Sequence, residues 1–244
     1  MNARKPIRAA SSHTSRTQTV ADALRQAILE GALQAGERLN LDDLSEHFGM
    51  SRMPVREAIK TLEAEGLVKV YPYRGVEVSS LGADDLDELF GLRDVLERKA
   101  VARAVPRLSE SDLGEMKRIL ENMDSLVDQH DEWLDLNRRF HEIINRACGW
   151  PRLTEMIDVL RVNVERYVRA YVSMMGRETP QREHWALYEA CRDRDPEAAQ
   201  SVISDHLRHT ADSLASQLPD SGARADTANM APPEERQKKR TNLL

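Results

Sequence analysis

The chain has 244 residues, a net charge of −6, 31% charged and 5% aromatic residues, and two cysteines. That length suits two domains with proper cores, and no apolar run approaches the length of a transmembrane helix. Cys148 and Cys191 lack motif spacing and read as reduced thiols rather than as a disulfide or a metal pair.

Residues 1–16 are polar and basic and read as a disordered arm. Residues 1–18 hold no signal-peptide core, so the expected location is the cytoplasm. Val20, Ala23, Leu24, Ala27 and Ile28 trace one helical face, with Thr19 as the N-cap candidate and Gly31 as the stop. Two short helices follow within residues 41–67. Leu41, Leu44 and Phe48 recur at helical spacing, Gly49 permits a left-handed turn, and Ser51 is a suitable N-cap with Pro54 in the first turn. In the second of these helices Val55, Ala58, Ile59 and Leu62 make an apolar stripe. Arg52, Arg56 and Lys60, with Met53 beside them, make a separate basic one. Such a helix fits two readings: a recognition helix in the DNA major groove, or an amphipathic surface helix with solvated charges. Residues 67–71 then alternate like a strand, residues 72–75 are a turn, and residues 76–78 are a second short strand. This two-stranded wing carries Arg74 and Gly75 at its tip, within reach of an adjacent minor groove.

The run GALQAGERLNLDDLSEHFGMSRMPVREAIKTLEAEGLVKVYPYRGVEV resembles the winged-helix domain of the GntR family of bacterial transcription regulators. The match spans residues 17–80, and SRMPVREAIKTLEAEGLV with the later RGVEV is its specific part. The resemblance implies binding of double-stranded DNA through Arg52, Met53, Arg56, Lys60, Arg74 and Gly75. The family's fatty-acid regulator has a basic residue where this chain has Asp42, so that contact is not expected here. Residues 1–80 hold 11 Lys/Arg and 10 Asp/Glu. A near-neutral domain binds DNA if its positive charges face one way, with Asp42, Asp43 and Glu65 turned elsewhere.

From residue 81 to 218 the pattern is helical only. Six helices are expected over residues 83–105, 109–129, 132–147, 151–175, 180–192 and 196–217. Ser109 with Asp112 is a capping pair, and Pro151 and Pro196 suit first-turn positions. Leu153, Met156, Ile157, Leu160 and Val164 form a core stripe. Helices of these lengths joined by short loops make an antiparallel bundle, which commonly holds its ligand inside. The expected fold is therefore mainly α, with a winged helix–turn–helix followed by an all-α bundle. Residues 219–244 read as a disordered tail.

Asn137 and His141 are four apart and project from one helix face, while His184 and His206 lie on later helices. Imidazoles from several helices can converge on Zn²⁺ or Ni²⁺. By spacing alone, isolated core or surface histidines are the better reading. Residues 83–217, however, resemble the FCD effector domain of the FadR subfamily of GntR regulators, through LRDVLERKAVARAV, NRRFHEII, HWALYEACRDRDPEAAQ and SDHLRH. Many members of that subfamily hold a divalent metal with an Asp or Asn and three histidines, positions matched by Asn137, His141, His184 and His206. Asn137 stands where many relatives have Asp and supplies only a neutral carbonyl oxygen. His209 is expected outside the ligand set, behind it or at the surface. The resemblance implies a small organic acid as effector, with Arg93 and Arg161 or Arg166 as its cationic partners. A winged helix contacts one short half-site, so a homodimeric repressor on a palindromic operator is expected, with no membrane partner. Two alternatives are a metal-dependent enzyme and an architectural DNA-binding protein. The chain has no HExxH, nucleophile elbow or phosphate loop, and an enzyme leaves the winged helix unexplained.

Overall fold

The computed structural model describes residues 15–72, 74–127, 129–175 and 177–216; the expected arm up to residue 14 and the expected tail from residue 219 lie outside them. The first helix, α1 (Arg16–Leu29), begins earlier than the Thr19 cap implied. Ser15 caps it instead, accepting from Gln18 N at 3.1 Å, and the Thr19 hydroxyl turns back to the Ser15 carbonyl. α2 (Leu41–His47) is capped by Asn40, and α3 (Arg52–Ala64) begins after Ser51, whose hydroxyl makes no cap bond. Val55, Ala58, Ile59 and Leu62 of α3 are buried against Val20, Leu24 and Ile28 of α1. Burying each large apolar side chain of that stripe contributes roughly 1.5–3 kcal/mol to the small domain's cohesion.

The wing has one strand more than expected. β1 (Arg38–Leu39), β2 (Val68–Tyr71) and β3 (Gly75–Val78) form an antiparallel sheet in the order β1-β3-β2. β1 pairs Arg38 with Glu77 and Leu39 with Val76. Two residues are too few to show alternation, which is why the sequence pattern misses it.

The remaining helices are α4 (Ala83–Ala104), α5 (Glu110–Ser125), α6 (His130–Ala147), α7 (Pro151–Met175), α8 (Glu178–Arg192) and α9 (Pro196–Ala215). Ser109 and Asp112 form the capping box of α5, and Asp195 caps α9 with Pro196 in its first turn. α5 stops at Ser125 rather than at residue 129. Trp133, Phe140, Met116, Leu120, Ile157 and Ile203 are among the fully buried side chains of this second core. Met156 departs from the expected core stripe of α7 and lies 56% exposed.

α7 joins the two cores. Val162 packs against the winged core, and Asn163 Nδ2 donates to the Glu65 carbonyl at the end of α3, 2.9 Å away. The Tyr167 hydroxyl accepts from Leu81 N at 2.8 Å, and Arg166 Nη2 donates to the Ser79 carbonyl. Gly66 closes α3 at φ +74°, a conformation that favours glycine, and a Cβ there would strike the Asn163 amide. Arg25 of α1 grips the Glu65 carboxylate with two bonds of 2.8 and 2.6 Å. The end of α3 is thus held by one helix of its own domain and one of the bundle.

Candidate DNA surface and bundle cavity

Arg52, Met53, Arg56 and Lys60 lie on the exposed side of α3, and Met53 is 63% exposed although large and apolar. Arg74 and Gly75 sit at the turn between β2 and β3, where Gly75 takes φ +90°. Arg52, Arg74 and Gly75 border one shallow groove together with Arg38 and Asp42. Arg38 carried no sequence signal, because only β1 brings it beside the wing. The expectation that the carboxylates face elsewhere holds for Glu65, which grips Arg25, but not for Asp42, which forms an ion pair with Arg52 Nε. Asn40 caps α2 through Asp42 N, which sets Asp42 in the first turn beside the start of α3. Both partners are exposed, so the pair is worth only about 0.2–1 kcal/mol and yields readily to a phosphate. Lys60 pairs with Glu57 at 2.9 Å. Among the described residues Arg56 makes no ion pair.

A second site lies inside the bundle, in a cavity of about 240 Å³. His141 of α6, His184 of α8 and His206 of α9 converge there, with one nitrogen of each within 4.8 Å of the others. His141 Nε2 and His184 Nε2 are 3.2 Å apart. Two nitrogens bound to one zinc at about 2.0–2.1 Å stand about 3.0–3.4 Å apart, so this spacing suits a shared ion as well as an N–H···N bond. Asn137 borders the same cavity, and its Oδ1 is sealed from solvent without a hydrogen-bond partner; His184 Nδ1, the ring nitrogen other than the one that meets His141, is likewise buried without one. A buried polar atom left alone costs about 1–3 kcal/mol, so the orphaned Asn137 oxygen beside three imidazoles points to something that occupies the cavity. Burial lowers the pKa of His141 well below the ordinary imidazole value, and the charge of Arg161 pushes the same way. Burial does the same to His184, aided by His206 and Arg161. Both are therefore neutral near pH 7, the form that binds metals.

Behind this cluster stands Glu183, which the sequence reading missed. Its carboxylate accepts from His206 Nδ1 at 2.7 Å and from His209 Nδ1 at 2.5 Å. Burial pushes the carboxyl up, but the two imidazoles together hold it below its usual range. The bond fixes the His206 ring with Nε2 left free, as a carboxylate does behind a metal-binding histidine. Nothing in the sequence marks Glu183, since it precedes His184 by one residue and points off the shared face.

The arginines separate clearly. Arg93 borders the cavity, but its Nε is engaged with Glu97 at 2.8 Å and both side chains are sealed. Arg166 faces the seam with the winged domain and not the cavity. Arg161 borders the cavity with Nη1 buried and unpartnered, and it makes no ion pair or hydrogen bond among the described residues. Burial lowers its pKa from the ordinary guanidinium value.

Comparisons with known proteins place these two sites in context. Residues 16–78 match the family described as bacterial regulatory proteins, gntR family, and residues 88–209 match the FCD domain. The chain is 30% identical over 196 residues to the HTH-type transcriptional regulator YdhC of Bacillus subtilis (strain 168), covering 78% of this chain and 87% of that one. It is 36% identical over 154 residues to the HTH-type transcriptional regulator McbR of Escherichia coli (strain K12), covering 62% and 70%. The solved structure of E. coli McbR/YncC superposes with a TM-score of 0.70 at 28% identity, over 83% of this chain and 98% of that one. The HTH-type transcriptional repressor RspR of E. coli (strain K12) is 26% identical over 196 residues, 78% and 85% of the two chains.

Proposed function

The chain belongs to the GntR family of bacterial transcription regulators, with an FCD domain after its winged helix, and on that premise we propose that it is a repressor relieved by a small organic acid bound in the bundle. The single observation that carries this reading is the bundle cavity with three converged imidazoles, an orphaned Asn137 oxygen and an unpaired Arg161. It borders the same helix that grips the end of α3. The regulator names of the relatives favour this reading over the metal-dependent enzyme. The name of RspR, a repressor, supports the sign of regulation. A cytoplasmic location accords with DNA as the partner.

The donor set fits one borderline divalent ion, Zn²⁺ or Ni²⁺, held by His141, His184 and His206 with Asn137 as a fourth, oxygen ligand. Such an ion would supply positive charge uncompensated by the neutral ligands, which favours an anionic effector. Glu183 orients His206, and Arg161 adds the cationic group for the effector's carboxylate. Arg52, Arg56 and Lys60 meet DNA from α3, while Arg74 and Gly75 approach it from the wing. Effector binding biases α7, and through Val162 and Asn163 the placement of α3, which is a coupling free energy between two sites. The test is a gel-shift titration on an operator selected from random duplexes, with and without a panel of organic acids. A coupling of about 1–3 kcal/mol predicts that one acid weakens operator binding about 5–150-fold. Operator affinity unmoved by every acid would leave a DNA-binding protein with a purely structural bundle.

We also propose a homodimer on a palindromic site. Leu92, Val95, Met156 and Val159 are all exposed, at 48, 66, 56 and 41%. α4 and α7 run antiparallel: Leu81 N meets the Tyr167 hydroxyl near one end, and Arg103 Nε meets the Cys148 carbonyl at the other. That register sets the four side chains at similar heights along the two helices. Exposed apolar side chains at one level on neighbouring helices suit a self-complementary contact. The Val95→Glu protein should run as a folded monomer in light scattering where the parent runs as a dimer. A dimer unchanged by that charge would move the contact elsewhere.

A further inference from the structure

The effector proposed above can be specified further, because α7 changes character along the cavity. Arg161, Val164, Val168 and Val172 follow one another at helical spacing and all border it. α6 faces them with His141 and Asn137 at one end and Leu134 and Trp133 at the other. The pairing of Arg169 with Asp131 fixes this antiparallel register. The polar end therefore holds Arg161, the imidazoles and Asn137, and the other end holds Val168, Val172, Leu134 and Pro180, with Trp133 between them, its ring centroid 5.9 Å from that of His184.

The charged groups of the lining outside that first end are mostly paired, and the one donor left without a hydrogen bond there among the described residues is the Trp133 indole N–H. Arg138 pairs with Asp135 at 3.1 Å and Glu142 at 3.0 Å, and Glu165 stands 3.8 Å from Arg169. The Thr210 hydroxyl donates to the His206 carbonyl at 2.9 Å. Asp158 is exposed at the cavity's edge and is not within ion-pair distance of Arg161. Hydroxyls of a polyhydroxy acid placed beside the valines would lose water and gain no partner, a cost paid for each one.

Resting on the effector reading above, we infer that the ligand is a small monocarboxylate with an apolar tail, its carboxylate at Arg161 and its tail between Val168, Val172, Leu134 and Trp133. The cavity is below the range of about 300–1,000 Å³ usual for drug-sized ligands, so the acid is small. The apolar stripe from Val164 to Val172 is about 12 Å long at 1.5 Å per residue, which bounds the tail.

The experiment is calorimetric titration of the full-length, Zn²⁺-loaded chain with acetate, butanoate, hexanoate and 3-phenylpropanoate, against gluconate and citrate. Affinity should rise about fourfold for each methylene added until the stripe is filled, with gluconate and citrate weaker than butanoate. Val168→Thr keeps the side-chain shape but adds a hydroxyl; it should weaken hexanoate binding several-fold while leaving acetate unchanged, in a protein whose melting curve shows it folded. A flat series, or tighter binding of gluconate or citrate, would overturn the tail assignment and leave the organic-acid reading in place. Heat from none of the six acids would overturn both.

Discussion

Replacing Arg56 with Ala should abolish detectable operator binding while leaving the melting curve unchanged. Arg56 stands on the exposed face of α3, opposite the buried stripe of Val55, Ala58, Ile59 and Leu62, and no carboxylate competes for it among the described residues. A bidentate contact to a base is worth about 1–3 kcal/mol, and a dimer loses it twice, so the expected cost is about 2–6 kcal/mol. Arg52→Ala should cost less, because Arg52 is already paired with Asp42. For the same reason Asp42→Asn should tighten binding, since it frees Arg52 and removes a negative charge that faces the phosphates. Lys60→Ala should lower the slope of log affinity against log salt by about 1, the signature of one lost phosphate contact. Gel-shift titrations at several salt concentrations read all four. Wild-type affinity in the Arg56→Ala protein would take α3 out of the groove.

The second large effect concerns the imidazoles. Elemental analysis should find one divalent ion per chain, and His184→Ala should remove it. A metal present at 100 times its Kd adds about 2.7 kcal/mol to folding, and a chain of this size shifts by about 2–4 °C per kcal/mol, so chelation should lower Tm by about 5–10 °C. The variant should melt low with or without chelator. Asn137→Asp should bind the ion more tightly, because a carboxylate supplies the charge that the amide lacks. The pH dependence has a definite sign even without metal. Burial depresses His141 and His184 in the folded state, so the unfolded chain binds more protons as pH falls below about 6.5. Their contribution is therefore complete above that pH and is lost as pH drops toward the depressed values. Urea midpoints should be lower at pH 5.5 than at pH 7.5. A Tm indifferent to chelator and to every added divalent ion would assign the three rings to packing or to direct effector contact.

What the sequence made legible follows from local periodicity. The α3 stripe, the Ser109–Asp112 box and the proline starts of α7 and α9 are all relations within one or two turns, so spacing alone exposes them. β1 was hidden because a two-residue strand has no period. The convergence of His141, His184 and His206 was legible only through the family resemblance, because separations of 43 and 22 residues carry no angular information. Only the packing of α6, α8 and α9 sets those rings within reach of one another. Glu183, the Arg52–Asp42 pair and the clasp of Asn163 on Glu65 are likewise tertiary relations. The exposed Met156 shows the converse limit. Its spacing fits the core stripe of α7, yet a helix of 25 residues has more apolar positions than one face can bury.

The two-sided role of α7 bears on how such regulators can be recombined. A hybrid that joins this winged helix to another bundle at residue 80 cuts only the linker, yet four of the winged domain's neighbours, Val162, Asn163, Arg166 and Tyr167, lie more than eighty residues further along. The graft would carry its DNA specificity intact and arrive without its mount. The transferable unit is therefore discontinuous in sequence: residues 15–81 together with one face of α7. The other face of the same helix stays with the ligand it recognises, so the unit of inheritance for DNA sequence and the unit for chemical signal share a single helix.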